Sequence, residues 1–245
     1  MTVLVLLGSK GFVGSEVSRL LLECGIEHYC LESFRHKTAD EINRITPSGM
    51  LDIINCSGST RSIVNDAKTF QEDNVETVKK IVDAYRFRTK EIIHVSSSDI
   101  DNKLLQDDYS LSKLAAEQYL KKASEELGFG LTLIRMPTLW SRHQIKPDSL
   151  LESLVQNSSQ LRYFKARSPN SSIRVTTEKS LKEALLSVVV LGQRNFAFDE
   201  SNSWVGSVQD LILTTLEFWE KKELSDGYEK ELLQVFLSWT DRFSL

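Results

Sequence analysis

The chain has 245 residues, with 30 Lys and Arg against 34 Asp and Glu, and a formal charge of −4. Hydrophobic residues make up 41% and charged residues 26%, ordinary values for a globular protein with a sizeable core. The acidic balance, a pI near 5.7 and the lack of a long apolar run argue against a nucleic-acid binder, a membrane span and a secretory signal.

Residues 3–7 form a continuous apolar run, the pattern of a central parallel strand covered on both faces. The stretch Gly8-Ser9-Lys10-Gly11-Phe12-Val13-Gly14 follows at once. Val13, Val17, Leu20 and Leu21 then recur at helical spacing, up to a C-cap at Gly25. A second strand is predicted over 28–31. Thr38, with Glu41 three residues later, is a capping box that opens a short helix. Further along, the pattern predicts a strand over 51–56, a helix over 75–86, a strand over 91–95, a helix over 108–127 closed by Gly128, and a strand over 131–135. Strands alternating with helices predict an α/β fold, a Rossmann-type doubly wound parallel sheet.

The regularity ends near Trp140. Beyond it the pattern gives a helix over 147–155, a strand over 162–165, a helix over 178–190 and a strand over 195–198. Two last helices are predicted over 208–219 and 228–239. No Gly/Ser-rich linker marks a boundary. Residues 1–140 are therefore expected to form the Rossmann region, and residues 141–245 a small, mostly helical part intertwined with it.

A strand, a glycine-rich turn and a helix make the entry of a dinucleotide-binding fold. Gly8 permits the tight turn, Gly11 lets backbone approach a pyrophosphate, and Gly14 allows close helix–strand packing. The helix N-terminus offers its free N–H groups to the anion. Glu32, 18 residues after Gly14, stands where a carboxylate accepts hydrogen bonds from the adenosine ribose and favours NAD. Lys10, Arg35, His36 and Lys37 lie nearby and suit the 2′-phosphate of NADP, or are solvated loop charges. The balance leans slightly to NAD.

Tyr109 and Lys113 stand four apart at the start of a helix, with Asp107 or Asp108 as N-cap, so they share one face. A phenol with a pKa near 10 is a poor base at neutral pH. An ammonium beside it, with a cationic nicotinamide, favours the phenolate and lowers that pKa. Such a pair can move a proton to or from a substrate oxygen while hydride moves on the nicotinamide. The fourth strand ends in Ser96-Ser97-Ser98-Asp99, and a hydroxyl there can hold the same oxygen.

These motifs, in this order, resemble the extended short-chain dehydrogenase/reductase superfamily, most closely its NAD-dependent epimerase/dehydratase and sugar-nucleotide reductase branch. GSKGFVG resembles the family's glycine loop, and LDIINCSGS the strand whose end lines the cofactor. Asn74-Val75-Glu76-Thr77 resembles a helix start, HVSSSDI the hydroxyl segment, IRMPTLW the stretch after strand five, and VTTEKSLKEAL a helix of the substrate part. The resemblance implies that Tyr109 is the general acid/base, Lys113 its activator and ribose ligand, and Ser97 the hydroxyl partner, with Ser96 and Ser98 as alternatives. It implies that Gly8, Gly11, Phe12 and Val13 lie against the cofactor phosphates, that Cys56, Ser57 and Gly58 line the cofactor, and that Pro137 touches the nicotinamide ring.

The resemblance further implies a small-molecule substrate, a nucleotide sugar, a cytoplasmic enzyme, and a homodimer paired through a helix carrying Leu111, Leu114, Ala115 and Tyr119. That stripe equally suits packing on the helix's own sheet. Ser97 and Tyr109 are only 12 positions apart, shorter than the family's usual spacing, which implies a more open site. Ser98-Asp99 stands where a dehydratase has two adjacent acids, so elimination is disfavoured. Reduction of a keto group on a nucleotide-activated sugar needs the least equipment. An epimerase that retains NAD is the alternative, and a non-catalytic NAD(P)-binding regulator is the other class. Arg142, His143 and Lys146 suit a diphosphate or an exposed loop. Trp204 suits a nucleobase or the core. Cys24, Cys30 and Cys56 fit neither a disulfide framework nor a zinc site and are expected to be small buried hydrophobes. No histidine has a ligand partner at helical spacing, so no metal is assigned.

Overall fold

The computed structural model describes residues 2–60, 65–101, 107–141, 170, 172–194, 196–198 and 201–211. The chain divides into two compact units, each built from two stretches: Met1–Met136 with Leu181–Ala197, and Pro137–Ser180 with Phe198–Leu245.

The first unit carries the parallel sheet. Its strands are β1 (Thr2–Leu7), β2 (Tyr29–Leu31), β3 (Met50–Asn55), β4 (Thr89–Ser97) and β5 (Gly130–Met136), in the order β2-β1-β3-β4-β5. All pairings are parallel. This order reverses direction between β1 and β3, and in open α/β sheets ligands bind beyond the carboxyl ends of the strands at such a point. The register places Leu7 beside Asn55, and the Cys56 amide donates to the Leu7 carbonyl at 3.0 Å. The turns that leave β1 and β3 therefore start side by side.

Successive side chains of a strand point to opposite faces. On one face Val5, Leu7, Leu31, Ile53 and Ile92 pack with Val78, Ile81, Val82 and Tyr85 of α4 (Thr77–Tyr85) and with Ala116, Leu120 and Ala123 of α5 (Asp108–Leu127). Burying each large aliphatic side chain contributes on the order of 2 kcal/mol. Leu6, Ile54, Ile93 and Ile134, on the other face, are buried as completely. The apolar run 3–7 thus reflects a strand covered on both sides.

Local signals end the helices where the sequence predicts. In α1 (Phe12–Glu23), Val17, Leu20 and Leu21 are buried, and Gly25 just beyond takes the left-handed conformation with φ 70°. In α2 (Ala39–Ile45) both halves of the Thr38–Glu41 capping box are made. In α5 Asp107 accepts from the Ser110 amide and Ser110 Oγ accepts from the Asp107 amide, and Gly128 closes the helix with φ 78°.

Two expectations are corrected. The helix predicted over 75–86 begins earlier. A turn, α3 (Ala67–Phe70), capped by Asp66, runs into a wider turn (Gln71–Glu76) and then into α4. Asn74 is thus inside a helical segment, not at its start. Residues 196–198 form no strand. The described part of the second unit instead holds a three-stranded sheet of β6 (Thr138–Trp140), β7 (Ser172–Thr177) and β8 (Ser203–Ser207), ordered β6-β7-β8. Trp204 belongs to β8, and its ring fills the space a side chain on Gly206 would need. The segment predicted as a helix over 178–190 is α6 (Glu178–Leu185) and a wider turn (Leu186–Val190). The elements predicted over 147–155, 162–165 and 228–239, most of 208–219, and Arg142, His143 and Lys146 lie outside the described residues.

Candidate active site

The glycine loop is held by contacts that exclude side chains. Gly8 has φ 80°, and a β-carbon on it would lie 2.7 Å from the Ser57 amide nitrogen. A β-carbon on Gly14 would lie 2.0 Å from the Gly8 carbonyl oxygen, so helix α1 packs directly on the turn. Gly11 is looser, with only the Gly8 oxygen at 3.3 Å. Gly11 is also the N-cap of α1 and has no side chain to offer the first-turn amides, and that turn contains no acid. Phe12 and Val13 open the helix. A helix start with bare backbone and no acid in its first turn suits an anion.

The turn after β3 forms the adjoining wall. Asn55 is buried, and its Oδ1 accepts from the Ser57 amide at 3.0 Å and from Ser57 Oγ at 2.5 Å. Its Nδ2 donates to His94 Nδ1 at 3.1 Å. The His94 proton therefore sits on Nε2, which is buried and has no hydrogen-bond partner among the described residues. Burial, reinforced by the Lys113 charge, pushes the His94 pKa down to about 3, so this ring is neutral. Gly58 follows with φ 135°, and a β-carbon there would lie 2.3 Å from Asn74 Oδ1 and 3.2 Å from Lys113 Nζ.

Asn74 joins three segments. Its Oδ1 accepts from the Ser59 amide at 2.9 Å, and its Nδ2 donates to Ser112 Oγ of α5 at 2.9 Å. The wider turn over 71–76 carries this buried side chain toward both.

Helix α5 brings Tyr109 and Lys113 into the interior. Both are buried, and the Tyr109 ring meets Phe70 edge to face with centroids 5.7 Å apart. Desolvation pushes the Lys113 pKa down to about 8, against the opposing pull of Cys56 and Glu117. Desolvation likewise pushes the Cys56 thiol up to about 12, so it is no nucleophile at neutral pH. The three cysteines are free and half-buried, less enclosed than expected, because each sits at the end or edge of an element.

Ser97 closes β4 and is buried. Its Oγ accepts from the Asp99 amide at 3.3 Å in the short turn Ser98–Asp101. Ser96 Oγ, pointing to the opposite face, is buried with no hydrogen-bond partner among the described residues, and Ser98 is half-buried. Of the stripe Leu111, Leu114, Ala115 and Tyr119, Tyr119 packs against the core. Leu111 is exposed and the other three half-buried, because Lys113, Ala116, Leu120 and Ala123 take the inward positions.

Of the charged residues expected near the adenosine, Lys10, Glu32 and Arg35 are engaged in ion pairs. Lys10 Nζ lies 2.5 Å from Glu32 Oε2, in an exposed pair. Arg35 pairs with Asp73 at 2.8 Å, and Asp73 also accepts from Ser59 Oγ. The structure thus joins Gly8, Gly14, Cys56, Ser57, Gly58 and Lys113 into one wall, and ties Lys10 to Glu32. Pro137 belongs to the second unit. Sequence reasoning missed Phe70, Ser59 and the bridging role of Asn74. Only Asn74 carried a signal, in the motif Asn74-Val75-Glu76-Thr77. Among the described residues, no group of three or more His, Cys, Asp or Glu is placed to hold a metal ion, and no helix is long and apolar enough to cross a membrane.

The family described as NAD dependent epimerase/dehydratase matches residues 4–165, and the chain belongs to it. No curated protein matches in sequence. Among solved structures, a UDP-glucuronic acid 4-epimerase from Bacillus cereus in complex with NAD is 12% identical with a TM-score of 0.67, over 91% of this chain and 84% of that one. The Bordetella bronchiseptica enzyme WbmF in complex with NADH is 14% identical with a TM-score of 0.70, over 90% of this chain and 78% of that one. The capsular polysaccharide assembling protein CapF from Staphylococcus aureus is 16% identical with a TM-score of 0.61, over 99% of this chain and 67% of that one. These likenesses are of fold.

Proposed function

We propose that this member of the NAD dependent epimerase/dehydratase family binds NAD(H) over the turns that leave β1 and β3, and reduces a keto group of a nucleotide-activated sugar. The observation that carries the reading is Lys113. Its Nζ is buried against Gly58 at the switch point of the sheet, one helical turn from Tyr109 on the same face. The cradle fits a dinucleotide: backbone at Gly8, Gly11 and Gly14 approaches where side chains would block it, and the α1 N-terminus complements a pyrophosphate.

When bound, the nicotinamide supplies the hydride. This chain's residues manage the oxygen. Tyr109 gives its phenolic proton to the oxygen that gains charge as the carbonyl carbon is reduced. Lys113 stabilises the phenolate left behind and holds the cofactor ribose. Ser97 donates a hydrogen bond to the same oxygen and fixes the carbonyl. Epimerisation uses the same residues in both directions, with the hydride returned to the other face of the sugar. The fold shared with the Bacillus cereus UDP-glucuronic acid 4-epimerase supports that second reading.

The test begins with a fluorescence titration of the protein with NADH and NADPH. Micromolar binding of either supports the reading. No binding of either, with the oxidised forms also silent and no copurified nucleotide, overturns it. Keto-sugar nucleotides are then supplied: stoichiometric NADH consumption identifies a reductase, and turnover without added cofactor an epimerase. Tyr109→Phe retains NADH binding and lowers turnover by about 10²–10⁴-fold.

A further inference from the structure

We propose that Arg135 is a positioning residue of this site: by occupying both carboxylate oxygens of Glu117 it keeps that side chain from Lys113 and leaves the ammonium to Tyr109 and a bound ribose. The inference rests on the roles of Tyr109 and Lys113 given above.

Glu117 stands one turn past Lys113 on α5 and is 0% exposed. A carboxylate and an ammonium four residues apart on a helix are natural partners. Here Glu117 is taken by another cation. Arg135 Nε donates to Oε1 at 3.0 Å and Nη2 to Oε2 at 2.7 Å, a bidentate grip. The remaining arm, Nη1, donates to Asp101 Oδ1 in the turn that follows Ser97. One guanidinium on β5 therefore fixes both the helix that carries Tyr109 and Lys113 and the turn that follows the hydroxyl segment.

Lys113 itself makes no hydrogen bond among the described residues, although it is buried. Among the described residues, the titratable groups that face it are Cys56 just past β3, His94 on β4 and Glu117 on its own helix. The carboxylates of the neighbouring segments are engaged: Asp73 with Arg35 and Ser59, Asp101 with Arg135. His94 is neutral and the Cys56 thiol is protonated. Among the described residues, Glu117 is the anion able to neutralise Lys113, and Arg135 decides whether it does. Loss of Arg135 leaves Glu117 to Lys113 and stabilises the ammonium. Loss of Glu117 leaves Lys113 facing the Arg135 charge and destabilises it.

The test is a pH titration of the Lys113 side chain by carbon-13 NMR in the full, cofactor-free chain, assigned with Lys113→Arg. Arg135→Gln is expected to raise the midpoint by about one pH unit, Glu117→Gln to lower it, and the double variant to return it to the wild-type value. A purely structural pair would reduce thermal stability in both single variants and leave the midpoint in place. That outcome, or shifts of the same sign, overturns the proposal. If Arg135→Gln does not fold, Glu117→Gln and the double variant still read the downward shift and its cancellation. The midpoint is read without cofactor, so failure here is distinct from failure of wild type to bind NADH.

Discussion

Gly14 rests so close to Gly8 that a β-carbon on it would sit 2.0 Å from the Gly8 carbonyl oxygen, inside any contact that two atoms tolerate. The atom opposing it is backbone, so it cannot turn aside as a side chain would. Gly14→Ala therefore forces helix α1 off the turn, and destabilisation of about 2–4 kcal/mol is expected. Gly11→Ala meets only the Gly8 oxygen at 3.3 Å and should fold nearly as well. Its methyl group instead stands where a pyrophosphate would approach. Thermal unfolding should separate Gly14→Ala from wild type, and an NADH titration should separate Gly11→Ala from it.

Lys113 couples binding chemistry to stability with a definite sign. Its folded pKa of about 8 lies below the 10.5 of an exposed lysine. Below pH 8 the folded chain holds a buried charge, and between these values the unfolded chain binds more protons, so stability rises with pH. Lys113→Met removes the penalty. It should stabilise the cofactor-free protein at pH 7 by up to about 3 kcal/mol, flatten the rise between pH 8 and 10.5, and abolish activity. Urea unfolding at pH 7 and pH 10 reads the first two effects. Lower stability of the variant at pH 7 would contradict them.

His94 works in the acid range. Its folded pKa is pushed to about 3 from 6.5, so the unfolded chain binds the extra proton between those values. The stabilisation is fully present above pH 6.5 and is lost as pH falls toward 3. His94→Gln keeps an acceptor for Asn55 Nδ2 but does not titrate. The stability difference between pH 7 and pH 4.5 should shrink by about 2 kcal/mol relative to wild type, as followed by urea midpoints.

Lys10 and Glu32 form an exposed pair, so solvent screens it and little folding stability depends on it. Its effect should be on cofactor choice. Glu32→Ala removes the ribose acceptor and releases Lys10 for a 2′-phosphate. The ratio of NADPH to NADH affinity should rise about tenfold or more. An unchanged ratio would place the adenosine away from this pair.

Much of this architecture was legible in the sequence because its signals are local. The run 3–7, the glycines, the Thr38–Glu41 box and the span 108–127 each depend on residues within a turn or two. The segment over 67–74 was missed because Phe70 is its one buried apolar side chain before Asn74, too little for a helical period. Its start was readable in Asp66, whose carboxylate caps the Thr69 amide at 2.8 Å. The sheet β6-β7-β8 was missed because Thr138 pairs with Val175, a long way along the chain. The same holds for the site. Tyr109 and Lys113 share a helix and could be paired by counting, whereas Arg135 and Glu117, or Asn55 and His94, meet only after strands and helices have packed. Spacing could not reveal that Lys10 and Glu32 would spend their charges on each other.

The first unit is not a continuous stretch of chain. Leu181–Ala197 returns to it, and its Leu181, Ala184, Leu185 and Val188 are almost completely buried, with Lys182 beside Glu23 of α1. During synthesis, β1 to β5 are all made before α6 exists. Until residue 197 has left the ribosome, the unit lacks part of its own covering, so a nascent or truncated chain ending near residue 140 would expose apolar surface to chaperones and proteases.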